Sequence, residues 1–175
     1  MKHILASVMI FLGGASLPAT GQSFSDGLNA YNAERRDTSP PPGPISDPRE
    51  MIAQELIEDC ALFNGTMSFG DGFQTEQDLD GDGRPEMLID MDAARCDAAA
   101  SLFCGSAGCP MTIFQKLPEG SYRKVFQSHV RGIETKTQTI IYMDFHGAWC
   151  NKDGSAPCRK AFVLEDDRIK PLGQE

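Results

Sequence analysis

The sequence predicts a mainly β α+β fold, in which one N-terminal amphipathic helix packs on an antiparallel meander sheet that disulfides staple together. Three observations predict it: one stretch with helical periodicity, a series of short apolar runs after Gly65, and six cysteines from Cys60 onward. Short connections between the apolar runs favour antiparallel neighbours, because parallel strands need a long crossover.

The chain begins with the layout of a secretory signal peptide. A basic start at Lys2 precedes an apolar run, Ile4–Leu12, and a series of small residues. Residues 1–21 are the predicted signal peptide, cleaved after Gly21, with Ala19 as the alternative. The apolar run is shorter than the roughly 20 residues of a membrane span. We therefore expect a periplasmic or secreted protein without membrane insertion.

The mature chain is predicted to be acidic. Removing residues 1–21 takes away Lys2 and no acid, so the net charge at pH 7 goes from -9 to -10. Nucleic acid is excluded as an expected partner, because neutralising phosphate needs the opposite charge. An unknown protein or envelope component remains the expected partner of a chain that we expect to be monomeric.

Residues 22–45 are predicted to be a disordered Pro-rich tether, followed by a single α+β domain over residues 46–175. The run Ser39-Pro40-Pro41-Pro42-Gly43-Pro44 favours an extended, unpacked backbone. The predicted helix starts next, with Ser46 or Asp47 as its cap, and it ends at Asn64-Gly65. Its apolar arc consists of Ile52, Ala53, Leu56, Ile57 and Cys60.

The chain after the helix is predicted to form strands and turns. The predicted strands are Phe73–Gln77, Glu86–Met91, Met111–Leu117, Tyr122–Ser128, Thr139–Phe145, Arg159–Leu164 and a short Arg168–Pro171. Alternation of apolar residues over Ile141, Met143 and Phe145 is typical of one face of a strand.

All six cysteines follow the signal peptide, and export to an oxidising compartment favours disulfides. They are Cys60, Cys96, Cys104, Cys109, Cys150 and Cys158. Six cysteines allow 15 pairings, and the sequence does not decide among them. Local geometry favours a small ring between Cys104 and Cys109 and a stapled turn between Cys150 and Cys158, which leaves the other two for each other. The alternative, a zinc site, lacks the usual two-residue gap and a histidine pair.

The most specific motif is the acidic segment Asp78-Leu79-Asp80-Gly81-Asp82-Gly83-Arg84-Pro85-Glu86. Carboxylates at alternate positions repel each other at close range, and a divalent cation relieves that repulsion. Calcium takes six to eight oxygen ligands, so it is the predicted cofactor. The predicted ligands are the side chains of Asp78, Asp80, Asp82 and Glu86 and the backbone carbonyl of Arg84.

The acidic segment departs from an EF-hand at Pro85 and at Ile89, where an EF-hand has its bidentate glutamate. It resembles instead the calcium loops of integrin-type (FG-GAP, VCBS) repeats, which have the pattern Asp-x-Asp-Gly-Asp-Gly-x-Pro-Asp/Glu between two strands. That resemblance implies a calcium site in a strand–loop–strand corner. The motif occurs once in this chain, which argues against a propeller.

A longer stretch, Cys60–Leu164, resembles a group of uncharacterised small exported proteins of proteobacteria. The shared features are a helix ending in Cys, "DLDGDGRPEMLID", "CGSAGC", "YRKV" and a late "HGAWC…PC" segment. The resemblance implies the architecture and no particular activity.

The leading interpretation is an exported, non-enzymatic binding module of the cell envelope that calcium and disulfides stabilise, with no catalytic residue. One alternative is an inhibitor of an envelope or host hydrolase such as lysozyme, since an acidic protein complements a basic enzyme. A second is a small hydrolase that uses Asp144 and His146 with Ser101 or Ser106 as nucleophile. A Gly-x-Ser-x-Gly nucleophile elbow is missing from the sequence, which argues against that second alternative.

Overall fold

The computed structural model describes residues 43–136 and 139–173. The predicted signal peptide and the tether through residue 42 lie outside the described residues. The predicted fold class is confirmed: the described chain is mainly β, with one helix, antiparallel sheets and three disulfides. Ile45, the last residue of the predicted tether, makes two backbone hydrogen bonds of 2.8 Å with Tyr122, so the folded backbone includes it.

Helix α1 spans Pro48–Ala61, and its N-cap is Asp47, whose carboxylate accepts a 2.9 Å hydrogen bond from the Glu50 N–H. Its buried residues are Pro48, Ile52, Ala53, Leu56 and Cys60. Ile57, predicted on the buried arc, is instead 44% exposed, because the helix buries a narrower stripe than its apolar residues span. Within the described ranges, no helix combines the length and the apolar character that a membrane crossing needs.

Ten strands follow the helix. They are β1 (Met67–Phe69), β2 (Gln74–Gln77), β3 (Glu86–Asp90), β4 (Ala94–Cys96), β5 (Cys109–Lys116), β6 (Tyr122–Val130), β7 (Gly132–Lys136), β8 (Ile140–Phe145), β9 (Cys158–Glu165) and β10 (Arg168–Pro171). Strands β2-β3-β5-β6 form the first sheet, β7-β8-β9-β10 form the second sheet as a meander, and β1 pairs with β4 as a two-stranded ribbon. All pairs are antiparallel.

Three of these strands are not predicted by the sequence. Strands β1 and β4 have three residues each, which is too short for a clear alternation of apolar and polar residues. Strand β7 has one large apolar residue, Ile133, so its sequence resembles a polar loop. Pairing with β8, and not its own pattern, makes β7 a strand.

Strand β3 is buried on both faces because a core lies on each side of the first sheet. Met87 and Ile89 pack in a first core with residues of α1, while Leu88 packs in a second core with Ile141 and Met143 of the second sheet. Successive side chains of a strand point to opposite faces, which explains the division. The start of β3 therefore lies deep between the helix and the second sheet.

The three disulfides have the pairing that local geometry favours. Cys60–Cys96 joins α1 to β4, Cys104–Cys109 closes a short ring at the start of β5, and Cys150–Cys158 joins a 3-10 turn to β9. Such bonds stabilise chiefly by restricting the unfolded chain.

Gly65 packs directly on the first of these disulfides, and we predict that Gly65→Ala destabilises the protein. A Cβ atom there would lie 2.7 Å from each sulfur of the Cys60–Cys96 bond and 2.8 Å from the Ala98 Cβ. Forcing a methyl group into such a site costs about 1–3 kcal/mol of stability. Urea unfolding of the oxidised wild-type protein and variant would measure this loss.

Gly105→Ala is the matched control for this substitution, because nothing lies within 4 Å of a Cβ atom there. Its free energy of unfolding should stay close to wild type. Equal stability of the two variants would contradict the packing of Gly65 on the disulfide.

Candidate metal centre

The acidic loop connects β2 to β3 and is anchored in the second core. Leu79, which is 1% exposed, packs there with residues of both sheets, while Asp78 and Asp80 on either side of it are half-buried. The buried leucine holds the loop against the protein. The two aspartates thereby stay close to the start of β3.

Backbone N–H groups of the loop orient the aspartate carboxylates. Asp78 accepts hydrogen bonds from the N–H of Gly81 at 2.8 Å and of Gly83 at 3.1 Å. Asp80 Oδ1 accepts one from the Asp82 N–H at 3.0 Å. Gly81 and Gly83 have φ values of 81° and 82°, a conformation that favours glycine and lets the loop close around its own carboxylates.

Three carboxylates converge at the base of the loop. Asp78, Asp80 and Glu86 each offer an oxygen, and these oxygens lie within 4.8 Å of one another. Oxygens that share one calcium ion lie at most about 5 Å apart, because each lies roughly 2.3–2.6 Å from the ion. The three side chains are therefore close enough to bind a single cation.

Glu86 is the unusual member of this group because it is fully buried. Its residue exposure is 0%; Oε2 accepts a 2.8 Å hydrogen bond from the Leu79 N–H, whereas Oε1 is buried and has no hydrogen-bond partner in the part of the chain that the structure describes. Burial, opposed by that hydrogen bond and reinforced by the three loop aspartates, raises the pKa of Glu86 to about 7. A carboxylate oxygen in this setting needs a hydrogen-bond donor or a cation, because leaving it unsatisfied away from water is costly.

Two predicted ligands, Asp82 and Arg84, pair with each other. The Asp82 carboxylate forms an ion pair with the Arg84 guanidinium and accepts a 2.7 Å hydrogen bond from the Arg84 N–H. Asp82 lies on the exposed part of the loop. The structure thus brings three of the four predicted carboxylates together, and the role of Asp82 and of the Arg84 carbonyl stays a prediction.

Gln115, which no sequence pattern singles out, contacts the site from β5. Its side chain is 8% exposed, and its Nε2 donates a 3.2 Å hydrogen bond to Asp80 Oδ2. In the sequence, Gln115 is a long polar side chain directly after the apolar residues of β5. That pattern does not show which loop the side chain contacts, since 35 residues separate Gln115 from Asp80.

Two further groups of potential metal ligands, among the three found in the described ranges, contain disulfide sulfurs. Asp97 lies beside the disulfide between α1 and β4, and Asp92 beside the disulfide ring at the start of β5. A disulfide sulfur lacks the thiolate charge that binds metals. Only the group on the acidic loop supplies oxygen ligands alone.

The residues of the hydrolase hypothesis have separate partners. Both Asp144 oxygens accept hydrogen bonds from Arg159, at 2.8 and 2.7 Å, and this pairing lowers the pKa of Asp144. His146 Nδ1 accepts from the Ala148 N–H at 3.3 Å and caps the 3-10 turn Gly147–Cys150. The geometry therefore gives an Asp144–His146 catalytic pair no support.

Comparisons with protein-family models, curated proteins and solved structures find no match to this chain. The likeness of the acidic loop to integrin-type repeats therefore rests on its own residues.

The buried Glu86 carboxyl predicts a particular pH dependence in metal-free buffer. Its pKa is about 7 in the folded protein against 4.5 for an ordinary glutamate, so the folded state binds the proton more tightly. Its stabilising effect is complete below about pH 4.5 and is lost as pH rises through 7, a change of about 3 kcal/mol. Urea unfolding in metal-depleted buffers from pH 5 to 8 measures this loss.

Glu86→Gln is the matched variant, because the amide keeps an acceptor for the Leu79 N–H and does not titrate. We expect it to flatten the pH dependence between pH 5 and 8. Burial also raises the pKa of Asp90, which adds a pH dependence of the same sign to the stability of both proteins. Identical pH profiles for wild type and variant would show that Glu86 is not the buried group responsible.

Proposed function

We propose that this protein is an exported, non-enzymatic binding module of the cell envelope, stabilised by one calcium ion and three disulfides. The observation that carries the proposal is the buried Glu86 Oε1, which has no hydrogen-bond partner within residues 43–136 and 139–173 and belongs to a group with Asp78 and Asp80. A doubly charged cation would satisfy this oxygen and offset the repulsion among the three carboxylates.

Calcium fits the ligand chemistry better than other common metals. The converging ligands are all carboxylate oxygens, whereas zinc and copper sites rely mainly on nitrogen and sulfur ligands. Magnesium requires near-ideal octahedral geometry and retains its water, whereas calcium tolerates an irregular shell. Extracellular calcium sites bind with dissociation constants of about 0.1–1 mM, which suits an ion that stabilises a fold.

A location outside the cytoplasm is supported by the disulfides and by the predicted signal peptide. The pairing of all six cysteines requires an oxidising compartment in most organisms. The same compartment supplies calcium at the concentrations that a weak structural site needs. The disulfides and the proposed calcium site are therefore both suited to a compartment outside the cytoplasm.

A binding role is supported by apolar side chains exposed on a rigid scaffold. Leu62 is 80% exposed and Phe63 is 52% exposed just after α1, and Trp149 is 49% exposed beside the Cys150–Cys158 disulfide. Exposed large apolar groups are common contacts in protein interfaces. The two hydrogen bonds that Arg159 donates to Asp144 also support a non-enzymatic role.

The inhibitor alternative is favoured by the surface at the end of α1. Exposed Glu55, Glu58 and Asp59 lie near the exposed Leu62 and Phe63, and the last turn of the helix carries no basic residue. Carboxylates at a helix C-terminus oppose the helix dipole, so helix stability does not explain them. Undiminished lysozyme activity in the presence of excess purified protein would eliminate a lysozyme inhibitor.

The calcium proposal predicts a cation-dependent melting temperature. Free calcium at ten times its dissociation constant stabilises by about 1.4 kcal/mol, which raises the melting temperature of a domain this size by roughly 3–6 °C. Asp78→Asn should abolish the shift, because it removes one of the converging carboxylates. Differential scanning calorimetry of metal-depleted protein, with and without millimolar calcium, measures it.

Asp71→Asn is the control, since Asp71 is an exposed aspartate outside the group and its substitution changes the charge equally. This variant should keep the full calcium shift. No shift in the wild-type protein, or equal shifts in both variants, would contradict a calcium site on the acidic loop.

A further inference from the structure

A chain of polar side chains leads from the acidic loop to the second sheet. Gln115 donates to Asp80 through Nε2 at 3.2 Å and accepts through Oε1 from Arg123 Nη2 at 3.4 Å. Arg123 Nη2 also pairs with Asp167 Oδ1 at 2.8 Å. Asp80 is therefore connected to groups on β5, on β6 and in the turn between β9 and β10.

Arg123 determines which end of the Gln115 amide faces the loop. A guanidinium group has only donors, so it must face the amide oxygen, and the amide nitrogen then points to the Asp80 carboxylate. The reversed amide would place two donors against each other and an oxygen against Asp80. Arg123 and Asp80 together therefore select one orientation of Gln115.

The position of Arg123 is itself well defined. It lies directly opposite Gln115 in the β5–β6 pairing, and its second partner belongs to the tight turn Asp166-Asp167. Both turn residues have positive φ, 49° and 63°, as in a two-residue hairpin turn. Residues of both sheets thus hold the guanidinium against the Gln115 amide oxygen.

We propose that Gln115 and Arg123 are positioning residues of the cation site, which orient Asp80 for the ion and thereby raise the site's affinity. This inference rests on the proposed calcium site. Partners that hydrogen-bond a ligating group from outside typically contribute about 10–100-fold to metal affinity, because they fix the ligand before the ion arrives. Gln115 acts directly on Asp80, and Arg123 acts through Gln115.

The charge of Arg123 separates positioning from simple electrostatics. A positive group near a cation site repels the ion, so a purely electrostatic role predicts that its removal tightens calcium binding. A positioning role predicts the opposite, because Gln115 loses its fixed orientation. The direction of the change in dissociation constant therefore distinguishes the two roles.

The experiment is calorimetric calcium titration of the metal-depleted, fully oxidised protein and its variants. We expect Gln115→Met to raise the dissociation constant about tenfold, and Arg123→Met to raise it at least about threefold. Arg123→Lys keeps a donor and should give a value between those of wild type and Arg123→Met. Circular dichroism establishes that each variant is folded.

Lys124→Met is the matched control. Lys124 is the exposed neighbour of Arg123 on β6, and its Nζ contacts Gln127 at 2.9 Å, outside the chain to Asp80. Its loss removes the same charge and should leave the dissociation constant unchanged or slightly lower. The side chain of Arg123 is 34% exposed, so Arg123→Met keeps the test decisive even if Gln115→Met does not fold.

The outcomes separate this inference from the proposed function. If both methionine variants bind calcium with the affinity of the wild-type protein, the positioning role is wrong and the calcium site is unaffected. Tighter binding by Arg123→Met also overturns the positioning role, in favour of electrostatic repulsion. Absence of calcium binding by the wild-type protein overturns the proposed function, and this inference with it.

Discussion

The burial of the Glu86 carboxylate is the constraint on which the rest of this account depends. Strand β3 begins at this residue, between the core beneath α1 and the core that faces the second sheet. One carboxylate oxygen accepts the Leu79 N–H, and the other has no hydrogen-bond partner among the described residues. An unsatisfied charged oxygen at such a depth is costly, so this oxygen needs a hydrogen-bond donor or a cation.

The disulfides and the acidic loop lie in different parts of the structure. The disulfides lie at α1, at the start of β5 and at β9, which places them around the two sheets. The loop lies between the sheets: Leu79 packs with residues of both, and Gln77 at its start hydrogen-bonds Thr135 of β7. A cation bound there would stabilise the acidic loop, which itself contains no cysteine.

Features encoded within a few residues were predictable from the sequence, whereas features that depend on distant strands were not. Asp47 as a helix cap and the Cys104–Cys109 ring are local, and so is the acidic loop, which brings Asp78, Asp80 and Glu86 together within the single connection from β2 to β3. The contact of Gln115 with Asp80 depends on the β3–β5 register, which periodicity does not specify. The division of the strands into two four-stranded sheets is equally non-local.

The most direct measurement is a crystal structure of the oxidised protein grown in calcium, with anomalous scattering data to identify the ion. We predict one calcium ion at about 2.3–2.6 Å from Glu86 Oε1 and from oxygens of Asp78 and Asp80. A calcium-saturated crystal in which Glu86 Oε1 instead hydrogen-bonds to water or to another protein group, with no ion among the three carboxylates, would contradict it.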